Sequence, residues 1–400
     1  MRLSRYFLPL VSSTSLNIQG IPHQLLLHSG LVHNTFDDYY SWLPLGLRVL
    51  EKIKRLIQGE LNRIESHQIK LPHIHSAPIN LTNKEIVGAV SAAYIRSYQD
   101  LPLRLHQIEW HFKQEANDTF CRAIGQERLV FNGYAFDLSV QAAEKSYQSM
   151  LCAYLRSFHR IGLSVIPAHV GTNVDHPLNH RFYVLADTGQ SKVFYDKAYP
   201  DASPQDWTES IKLYASDAQH HSSKTCPISE DQLMVSNGIL VGHMIYAGTC
   251  SQKETNVQLT NKEGHPFYPE MGLYTLDITG LLAAIIEASH DDKGIVWPDV
   301  IAPFQTMIID LIRSDNATSS MGDQLHTALQ NAGVEVLYDD TEDQETAKFR
   351  LADLLGIPYQ IIISKQSTLS GIVNVKHRKT GQVQEMTIDQ VITKFAKDKL

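Results

Sequence analysis

The sequence predicts an α+β protein in two parts: a large antiparallel sheet flanked by helices, followed by a small α/β domain. The first indication is the stretch 107–138, in which Ile108, Trp110 and Phe112 alternate with polar residues and a second apolar run follows a polar segment. This pattern is typical of a long antiparallel hairpin. The second indication comes after residue 304, where short apolar runs alternate with helical patterns, as in a domain with a mixed sheet.

The composition is that of a folded protein. Of its 400 residues, 43% are hydrophobic and 20% are charged, which is enough to form sizeable hydrophobic cores. No apolar run approaches the length of a transmembrane segment. The formal net charge of -8 gives no bulk attraction to nucleic acid, so any RNA binding requires local basic patches. The 4 cysteines form no CxxC pair, so we expect a reducing compartment and neither a metal site nor a disulfide framework.

Apolar periodicity defines the remaining elements. A turn ends at Gly46, a helix with one apolar face follows, and a second amphipathic helix spans 141–161 and stops at Gly162. The apolar face of the first helix consists of Leu47, Leu50, Ile53, Ile57, Leu61 and Ile64. We predict strands at 165–170, 181–185, 191–195, 306–311, 334–338, 360–364 and 372–376, and helices at 321–332, 346–355 and the C-terminus. The polar segment 198–236 is typical of a surface insertion or linker.

Four short stretches resemble the prolyl-tRNA synthetases, a family of class II aminoacyl-tRNA synthetases. They are SWLPLG at 41–46, GIVWP at 294–298, YDDT at 338–341 and HRKTG at 377–381. The resemblance spans nearly the whole chain and is closest to the shorter alphaproteobacterial form, which lacks the editing insertion. It implies a class II catalytic domain at 1–303 and an anticodon-binding α/β domain at 304–400.

The resemblance also implies the three motifs of the class, at about 42–72, 107–138 and 269–290. Motif 1 forms the dimer interface in the family, so we expect a homodimer, although an ordinary core helix explains the apolar face equally well. An intact member uses ATP, magnesium, proline and proline tRNA. Residues 1–19 have the composition of an organelle transit peptide, but they also resemble the start of bacterial members. We therefore expect a cytoplasmic protein with no membrane attachment.

At some positions of the implied site, the chain keeps a residue that is suited to binding ATP or proline. The remnant of the ATP site consists of Lys113, Glu115 and Glu127. The remnant of the proline and ATP pocket consists of Thr82, Glu85, Phe136, His180, His243 and Glu270. Lys84 stands where a family glutamate pairs with the imino group of proline, which replaces an attraction of roughly 4 kcal/mol by a repulsion. Glu85 takes over that role only through a change of register.

Most phosphate-binding cations of the family are replaced. Family arginines correspond here to Asn117, Thr119, Ile124 and Gln126, and a family lysine corresponds to Phe131. The arginine of the third motif corresponds to Gly280, and Asp277 adds a negative charge beside it. Lys113 keeps a charge but lacks the planar fork of an arginine. Arg122 and Arg128 are new cations near the hairpin loop that compensate in part.

The segment VNVKHRKTGQ at 373–382 resembles the base-reading hairpin of the anticodon-binding domain. Its cations Lys376, Arg378 and Lys379 are therefore candidate RNA contacts. A charged hairpin of this kind is also commonly a solvated surface.

Three functions remain open. The first is a pseudo-synthetase, a pseudoenzyme that keeps tRNA or partner binding while prolyl-adenylate chemistry is lost or weakened. The second is a working proline–tRNA ligase with a rebuilt site, in which Lys113, Arg122 and Arg128 replace the missing cations. The third is an interaction partner that forms a heterodimer with an intact synthetase.

Overall fold

The computed structural model describes residues 1–11, 20–36, 39–72, 83–112, 125–170, 178–199, 213–249 and 258–397. Two compact units are present. Unit 1 is built mainly from Met1–Ile53 and Ile285–Leu400, and unit 2 mainly from Lys54–Gln114 and Glu127–Ala284. The boundary at residues 303 and 304 stays a prediction from sequence.

The described residues form the following elements. The helices are α1 (Ile21–His28), α2 (Pro44–Arg63), α3 (Asn83–Tyr94), α4 (Val140–Ile161), α5 (Ile278–Ala288), α6 (Asn316–Asn331), α7 (Glu345–Leu355), α8 (Lys365–Ser370) and α9 (Ile388–Lys397). The strands are β1 (Val32–Phe36), β2 (Tyr39–Trp42), β3 (His67–Gln68), β4 (Leu103–Phe112), β5 (Glu127–Asp137), β6 (Val165–His169), β7 (Asn179–Leu185), β8 (Ser191–Asp196), β9 (Ala215–Asp217), β10 (Leu233–Thr249), β11 (Leu259–Thr260), β12 (Pro266–Phe267), β13 (Glu270–Asp277), β14 (His290–Asp291), β15 (Gly294–Ile295), β16 (Thr306–Asp310), β17 (Val336–Asp339), β18 (Tyr359–Ile363), β19 (Ile372–His377) and β20 (Val383–Thr387). None of the helices in these parts of the chain is long and apolar enough to cross a membrane.

Unit 2 is built on a nine-stranded sheet with the order β3-β4-β5-β13-β10-β7-β6, to which β8 and β9 add through β10. The hairpin predicted from alternation is confirmed, because β4 and β5 pair antiparallel with Ile108 opposite Phe131. Side chains alternate between the two faces of a strand. The polar residues of β4 are the more buried set: Gln107 is 1% and Glu109 6% exposed, whereas Phe112 is 48% exposed.

Helix α4 covers one face of this sheet. It begins after Ser139, whose side chain accepts a hydrogen bond from the Ala142 N–H, and it ends at Gly162 with φ 83°. A non-glycine residue is disfavoured there, because L side chains rarely adopt a positive φ. The predicted end of this helix is therefore confirmed, and the helix begins at Val140, one residue earlier than predicted. Its inward side chains meet the sheet in an aromatic cluster, in which the Tyr154 ring lies 5.9 Å from Phe131 and 5.1 Å from Phe182.

Helix α2 begins at Pro44, earlier than predicted, because proline is favoured in the first helical turn. Gly46 is therefore part of the helix and does not end a turn before it. A Cβ atom at Gly46 would lie 2.3 Å from the carbonyl oxygen of Leu31, so only glycine allows this approach. Of the predicted apolar face, Leu50, Ile53, Ile57 and Leu61 are buried within the chain, whereas Leu47 is 42% exposed.

Unit 1 contains a five-stranded sheet with the order β17-β16-β18-β19-β20. The strands β16, β17 and β18 are parallel, and β19 and β20 are antiparallel additions. The predicted mixed sheet is therefore confirmed. Its core combines the sheet with α6 and α9, as shown by the buried side chains of Ile308, Leu325, Val373 and Val391. The sequence prediction missed α8 and β20, both short elements, and placed the start of α6 too late.

Candidate functional site

A row of polar side chains crosses the face of the nine-stranded sheet opposite α4. The row runs through Gln107, Asn132, Thr275, His243 and Arg181, which are direct neighbours in the ladders of β4, β5, β13, β10 and β7. Residues opposite each other in adjacent strands project to the same face. A concentration of polar groups on one sheet face is the arrangement expected of a ligand site, and we call it the polar face.

Two ion pairs flank this row, and a third is formed by its last member, Arg181. Lys70 Nζ lies 2.7 Å from Glu109 Oε2, and Arg181 Nη1 lies 2.8 Å from Asp217 Oδ2. Arg128 Nη1 lies 2.6 Å from Asp277 Oδ2. Each of these three cations is therefore matched by a carboxylate of the same unit. A bound anion has to compete with that carboxylate for the cation.

Asp277 makes further hydrogen bonds besides its pair with Arg128. Its Oδ1 atom accepts hydrogen bonds from Thr279 Oγ1 at 2.8 Å and from the Gly280 N–H at 2.7 Å, which caps the start of α5. A Cβ atom at Gly280 would lie 2.8 Å from the Asp277 carboxyl carbon. Any larger side chain at position 280 therefore requires the capping carboxylate to move.

The Asp277 carboxylate also fixes Arg128. The whole residue Arg128 is 5% exposed. A buried guanidinium is stable only when it is paired, and the Asp277 carboxylate contributes to that pairing. The two residues are 149 positions apart in the chain.

The two predicted histidines lie on opposite faces of the sheet. His243 is on the polar face, where its Nε2 atom lies 2.9 Å from Asn179 Oδ1. His180 projects toward α4, where its Nδ1 atom lies 2.8 Å from the Tyr147 hydroxyl oxygen. The structure therefore does not bring these two histidines into one pocket.

Both rings are held in the neutral form. Burial, with a smaller effect of the Arg181 charge, lowers the pKa of His243 to about 4. Burial, with a smaller effect of His169, lowers the pKa of His180 to about 3. Near neutral pH these groups exchange hydrogen bonds but supply no positive charge.

The other predicted pocket residues are dispersed. Phe136 is fully buried in an apolar cluster with Ile86 and Leu105. Glu270 accepts a hydrogen bond from the Tyr246 hydroxyl at 2.7 Å. Glu85 lies in the first turn of α3. Glu127 opens β5 and is exposed.

The ladder places Glu127 and Arg128 on opposite faces, because adjacent residues of a strand alternate. The remaining predicted positions are Lys113, Glu115 and Thr82, which lie outside the described residues, as do Asn117, Thr119, Arg122 and Ile124.

Two of the three candidate cations of the C-terminal hairpin form ion pairs within unit 1. Arg378 forms two hydrogen bonds of 2.6 Å with the Asp291 carboxylate and is 6% exposed. Lys376 Nζ lies 3.2 Å from Asp353 Oδ1. Lys379 is exposed at the turn between β19 and β20.

The segment that we predict to be a surface insertion contributes to unit 2 in its described part. Asp217 at the end of β9 is 2% exposed and lies 2.6 Å, through Oδ1, from His220 Nδ1. The ring of His221 stacks on Phe194 with 3.8 Å between centroids. The two histidines therefore make defined contacts within unit 2.

Several residues of the polar face have no counterpart in the sequence prediction, among them Asn132, Thr275 and Asn179. Part of the polar face is predictable from the sequence, since alternation places Gln107, Glu109 and His111 together on one face of β4. The strands that complete the face come from distant parts of the chain. Their register is set by tertiary pairing, which a single sequence does not specify.

Chemically, the polar face offers neutral amide, hydroxyl and imidazole groups between balanced ion pairs. Such a face suits a polar ligand of low net charge better than a polyanion. The described residues contain no group of three His, Cys, Asp or Glu side chains placed to hold a metal ion.

Comparison with known proteins gives consistent matches. Residues 300–398 match the family model described as "Anticodon binding domain". The proline–tRNA ligase of Chelativorans sp. (strain BNC1) is 34% identical over 438 aligned positions, which cover 99% of this chain and 99% of the relative. The proline–tRNA ligase of Wolbachia sp. subsp. Drosophila simulans (strain wRi) is 36% identical, with 99% of this chain and 100% of the relative covered.

A solved structure matches the fold. The crystal structure of prolyl-tRNA synthetase from Cryptosporidium parvum, complexed with L-proline and AMP, superimposes with a TM-score of 0.72 at 15% sequence identity. The match covers 94% of this chain and 78% of that chain.

Proposed function

Because the chain belongs to the proline–tRNA ligase family, we propose that it is a tRNA-binding member in which ATP-dependent activation of proline is lost or strongly reduced. It has the class II aminoacyl-tRNA synthetase fold, with an antiparallel catalytic sheet followed by a small α/β anticodon-binding domain. We place the boundary between these domains at residues 303 and 304. The tRNA-binding part of the proposal is supported by this C-terminal domain.

The observation that carries the loss of activation is the pairing of Arg128 with Asp277 at 2.6 Å. The phosphates of ATP need cations that are available to them, and a bidentate guanidinium is the side chain best suited to that task. Here the Asp277 carboxylate forms an ion pair with the Arg128 guanidinium and also caps the N-terminus of α5. A phosphate placed near that carboxylate would meet a repulsion of roughly 4 kcal/mol at 4 Å separation.

The described residues do not fit ATP with a magnesium ion. The cations Lys70, Arg128 and Arg181 are matched by carboxylates, and position 280 has no side chain. No step of proline activation is therefore assigned to these groups. If ATP binds, Lys113, Glu115 and Glu127 are the residues of the second motif that we expect to contribute.

Proline-dependent exchange between ATP and pyrophosphate tests the proposal. We expect exchange near background and retained binding of a proline tRNA transcript. The ligase of Chelativorans, assayed in parallel, serves as the positive control for both measurements. Exchange at the rate of that control would contradict the proposal, and loss of tRNA binding would remove its second half.

A working ligase with a rebuilt site is the second candidate, and the 34% identity with a proline–tRNA ligase over 99% of the chain favours it. In this case Lys113, Arg122 and Arg128 hold the phosphates, and the Asp277 carboxylate has to leave Arg128 when ATP arrives. Growth of a strain that lacks its own proline–tRNA ligase, supported by this protein alone, would establish this candidate. Failure of growth with folded protein present in the cells argues against it.

We also propose that the chain forms a homodimer, or a heterodimer with an intact family member. This proposal is supported by apolar side chains at the N-terminal end, where Phe36 is 73%, Tyr39 44% and Leu47 42% exposed. Phe36 and Tyr39 are direct neighbours in the pairing of β1 with β2, and exposed apolar groups that lie together are a common mark of a protein interface. Measuring the mass of the protein alone tests for the homodimer. Measuring the mass of its mixture with an intact relative tests for the heterodimer.

A further inference from the structure

Three arginines lie together where α2 meets α4 in unit 2, and we call them the arginine cluster. Arg63 is the last residue of α2, and Arg156 and Arg160 lie one turn apart near the end of α4. Helix α4 covers the sheet face opposite the polar face, so the cluster and the polar face are separate sites.

All three guanidinium groups contact one carboxylate. Arg156 Nε lies 2.8 Å from Glu60 Oε2, whereas Arg160 Nη1 and Arg63 Nη1 lie 3.0 Å and 3.1 Å from Glu60 Oε1. The Glu60 side chain is fully buried, and the side chains of Arg156, Arg160 and Arg63 are 31%, 40% and 63% exposed. The carboxylate therefore lies beneath the three guanidinium groups, which remain accessible from solvent.

The cluster carries more positive than negative charge. In the part of the chain that the structure describes, Glu60 is the one carboxylate that forms an ion pair with these arginines. Three positive charges thus share a single negative charge, which leaves an excess of two. The cations of the polar face differ, because each of them has its own carboxylate.

Each guanidinium keeps N–H groups for a further acceptor. An arginine side chain has five N–H donors in a fixed planar arrangement. For Glu60, Arg156 uses Nε, and Arg63 and Arg160 use Nη1. Among the described residues, the Nη2 groups of these three arginines have no acceptor. These donors are available to the oxygen atoms of a ligand.

The ends of the two helices explain only part of this arrangement. Cations are favoured at the C-terminal end of a helix, where the carbonyl groups carry partial negative charge. That effect accounts for Arg63 and Arg160 in the last turns of α2 and α4. It does not account for Arg156, which lies a turn earlier, nor for the meeting of three arginines on one carboxylate.

We propose that the arginine cluster binds a phosphate monoester, whose charge of about -1.5 to -2 at pH 7 matches the excess of the cluster. Guanidinium groups bind phosphate oxygens through parallel hydrogen bonds. A phosphodiester, with a single negative charge, matches the cluster less well. A small phosphate ester and the 5′-phosphate of an RNA share this chemistry, and the experiment distinguishes them. The inference does not depend on the proposed function.

Isothermal titration calorimetry of the full chain tests the inference with two probes, the monoester glycerol 2-phosphate and the diester dimethyl phosphate. The unchanged protein is compared with Arg63→Gln, Arg156→Gln and Glu60→Gln. Arg55→Gln is the matched control, because Arg55 is an exposed arginine of α2 that lies roughly 12 Å along the helix from Arg63. Circular dichroism verifies that every variant is folded.

We expect glycerol 2-phosphate to bind about tenfold more tightly than dimethyl phosphate. Arg63→Gln and Arg156→Gln should each weaken binding of the monoester about tenfold, because each removes a charged hydrogen-bond donor. Glu60→Gln should strengthen it, because the competing carboxylate is lost, and Arg55→Gln should leave it unchanged. If the two esters bind equally, or if no arginine variant differs from Arg55→Gln, the inference is overturned.

A second titration identifies the source of the phosphate group. Proline tRNA transcripts with a 5′-phosphate or a 5′-hydroxyl group are titrated by fluorescence anisotropy with the unchanged protein and with Arg63→Gln. If the 5′-phosphate strengthens binding about tenfold in the unchanged protein alone, the group belongs to RNA. If it has no effect, the ligand is a free phosphate ester. Failure of the inference leaves the proposed function in place, because the 5′-hydroxyl transcript reports tRNA binding without this group.

Discussion

Glu60 shows how single residues hold unit 2 together. Its side chain is fully buried on α2 and contacts Arg156 at 2.8 Å and Arg160 at 3.0 Å on α4, with Arg63 at 3.1 Å. Burial by itself raises the pKa of Glu60, but its hydrogen bonds with Arg156 and Arg160 and the charge of Arg63 bring the pKa below its usual value. The carboxylate is therefore ionised and fastens one helix to the other.

Glu60→Gln should destabilise the protein by about 2 kcal/mol, because it removes the charge from buried hydrogen bonds to arginines that are themselves partly exposed to solvent. Urea unfolding followed by circular dichroism measures this difference. Glu51→Gln, an exposed position on the same helix, should change the free energy of unfolding by less than about 0.5 kcal/mol. Equal effects of the two substitutions would contradict the structural role of Glu60.

The free energy of unfolding at acidic pH should also depend on Glu60. A carboxyl group whose pKa is lower in the folded state contributes stability above its unfolded pKa, and this contribution is lost as the pH falls through the folded value. Unfolding measured at several pH values below about 4.5 should therefore show a steeper loss in the unchanged protein than in Glu60→Gln. Parallel curves would show that another group controls acid unfolding.

At the scale of elements, α5 depends on the carboxylate that precedes it. Asp277 both caps the helix through the Gly280 N–H and compensates Arg128. Asp277→Asn keeps a capping oxygen but loses the charge, whereas Asp277→Ala loses both. We expect Asp277→Ala to be less stable than Asp277→Asn by about 1 kcal/mol, the usual contribution of a cap.

Thermal or urea unfolding of both Asp277 variants measures this difference. Asp315→Ala and Asp315→Asn form a matched control pair, since the Asp315 side chain accepts a hydrogen bond from the Ala317 N–H at the start of α6 without a buried arginine. Both Asp277 variants should be less stable than the corresponding Asp315 variants. Equal losses at the two helices would mean that the Arg128 pair contributes nothing.

Sequence patterns predict individual helices and strands correctly in several cases. Alternation identified β4 and β5, and the capping glycine fixed the end of α4, because both signals are local. The polar face was not predictable in the same way, since Arg128 and Asp277 meet only through the register of β5 and β13. The sequence predicts Lys376 and Arg378 as candidate RNA contacts, and it does not reveal Asp353 and Asp291 as their partners.

At the scale of the whole molecule, the contact between Arg378 and Asp291 joins the C-terminal sheet to the hairpin of β14 and β15 within unit 1. The Arg378 guanidinium lowers the pKa of Asp291 to about 2. Nearby, the indole N–H of Trp297 donates a hydrogen bond of 2.9 Å to the Leu355 carbonyl oxygen. The contact between Arg378 and Asp291 therefore restrains the turn that carries Lys379.

Arg378→Gln and Asp291→Asn should therefore have the same consequences. We expect a coupling energy of about 1–2 kcal/mol from a double-mutant cycle of unfolding free energies, and equal weakening of tRNA binding by both substitutions. Lys379→Gln should weaken tRNA binding without a change in stability. If Arg378→Gln weakens tRNA binding and Asp291→Asn does not, Arg378 contacts RNA directly.

The assembly state is a further property of the whole molecule. We expect a homodimer in light-scattering measurements, and a shift toward monomer in Phe36→Ser or Leu47→Ser, because each removes exposed apolar surface from the proposed interface. Leu369→Ser, which changes a side chain that is 78% exposed elsewhere in unit 1, is the control and should leave the mass unchanged. A monomeric unchanged protein would contradict the proposal.

The composition of unit 1 has a consequence for synthesis of the protein. Its contacts join the beginning of the chain to its last third, as in the hydrogen bond of 2.6 Å between Arg48 and Glu335. Unit 2 draws on the intervening chain, so its sheet can form while translation is still in progress. Unit 1 closes only after residues beyond 285 have left the ribosome. Until then the N-terminal segment lacks its partners from the last third of the chain, and slow translation of residues 285–400 would prolong that interval.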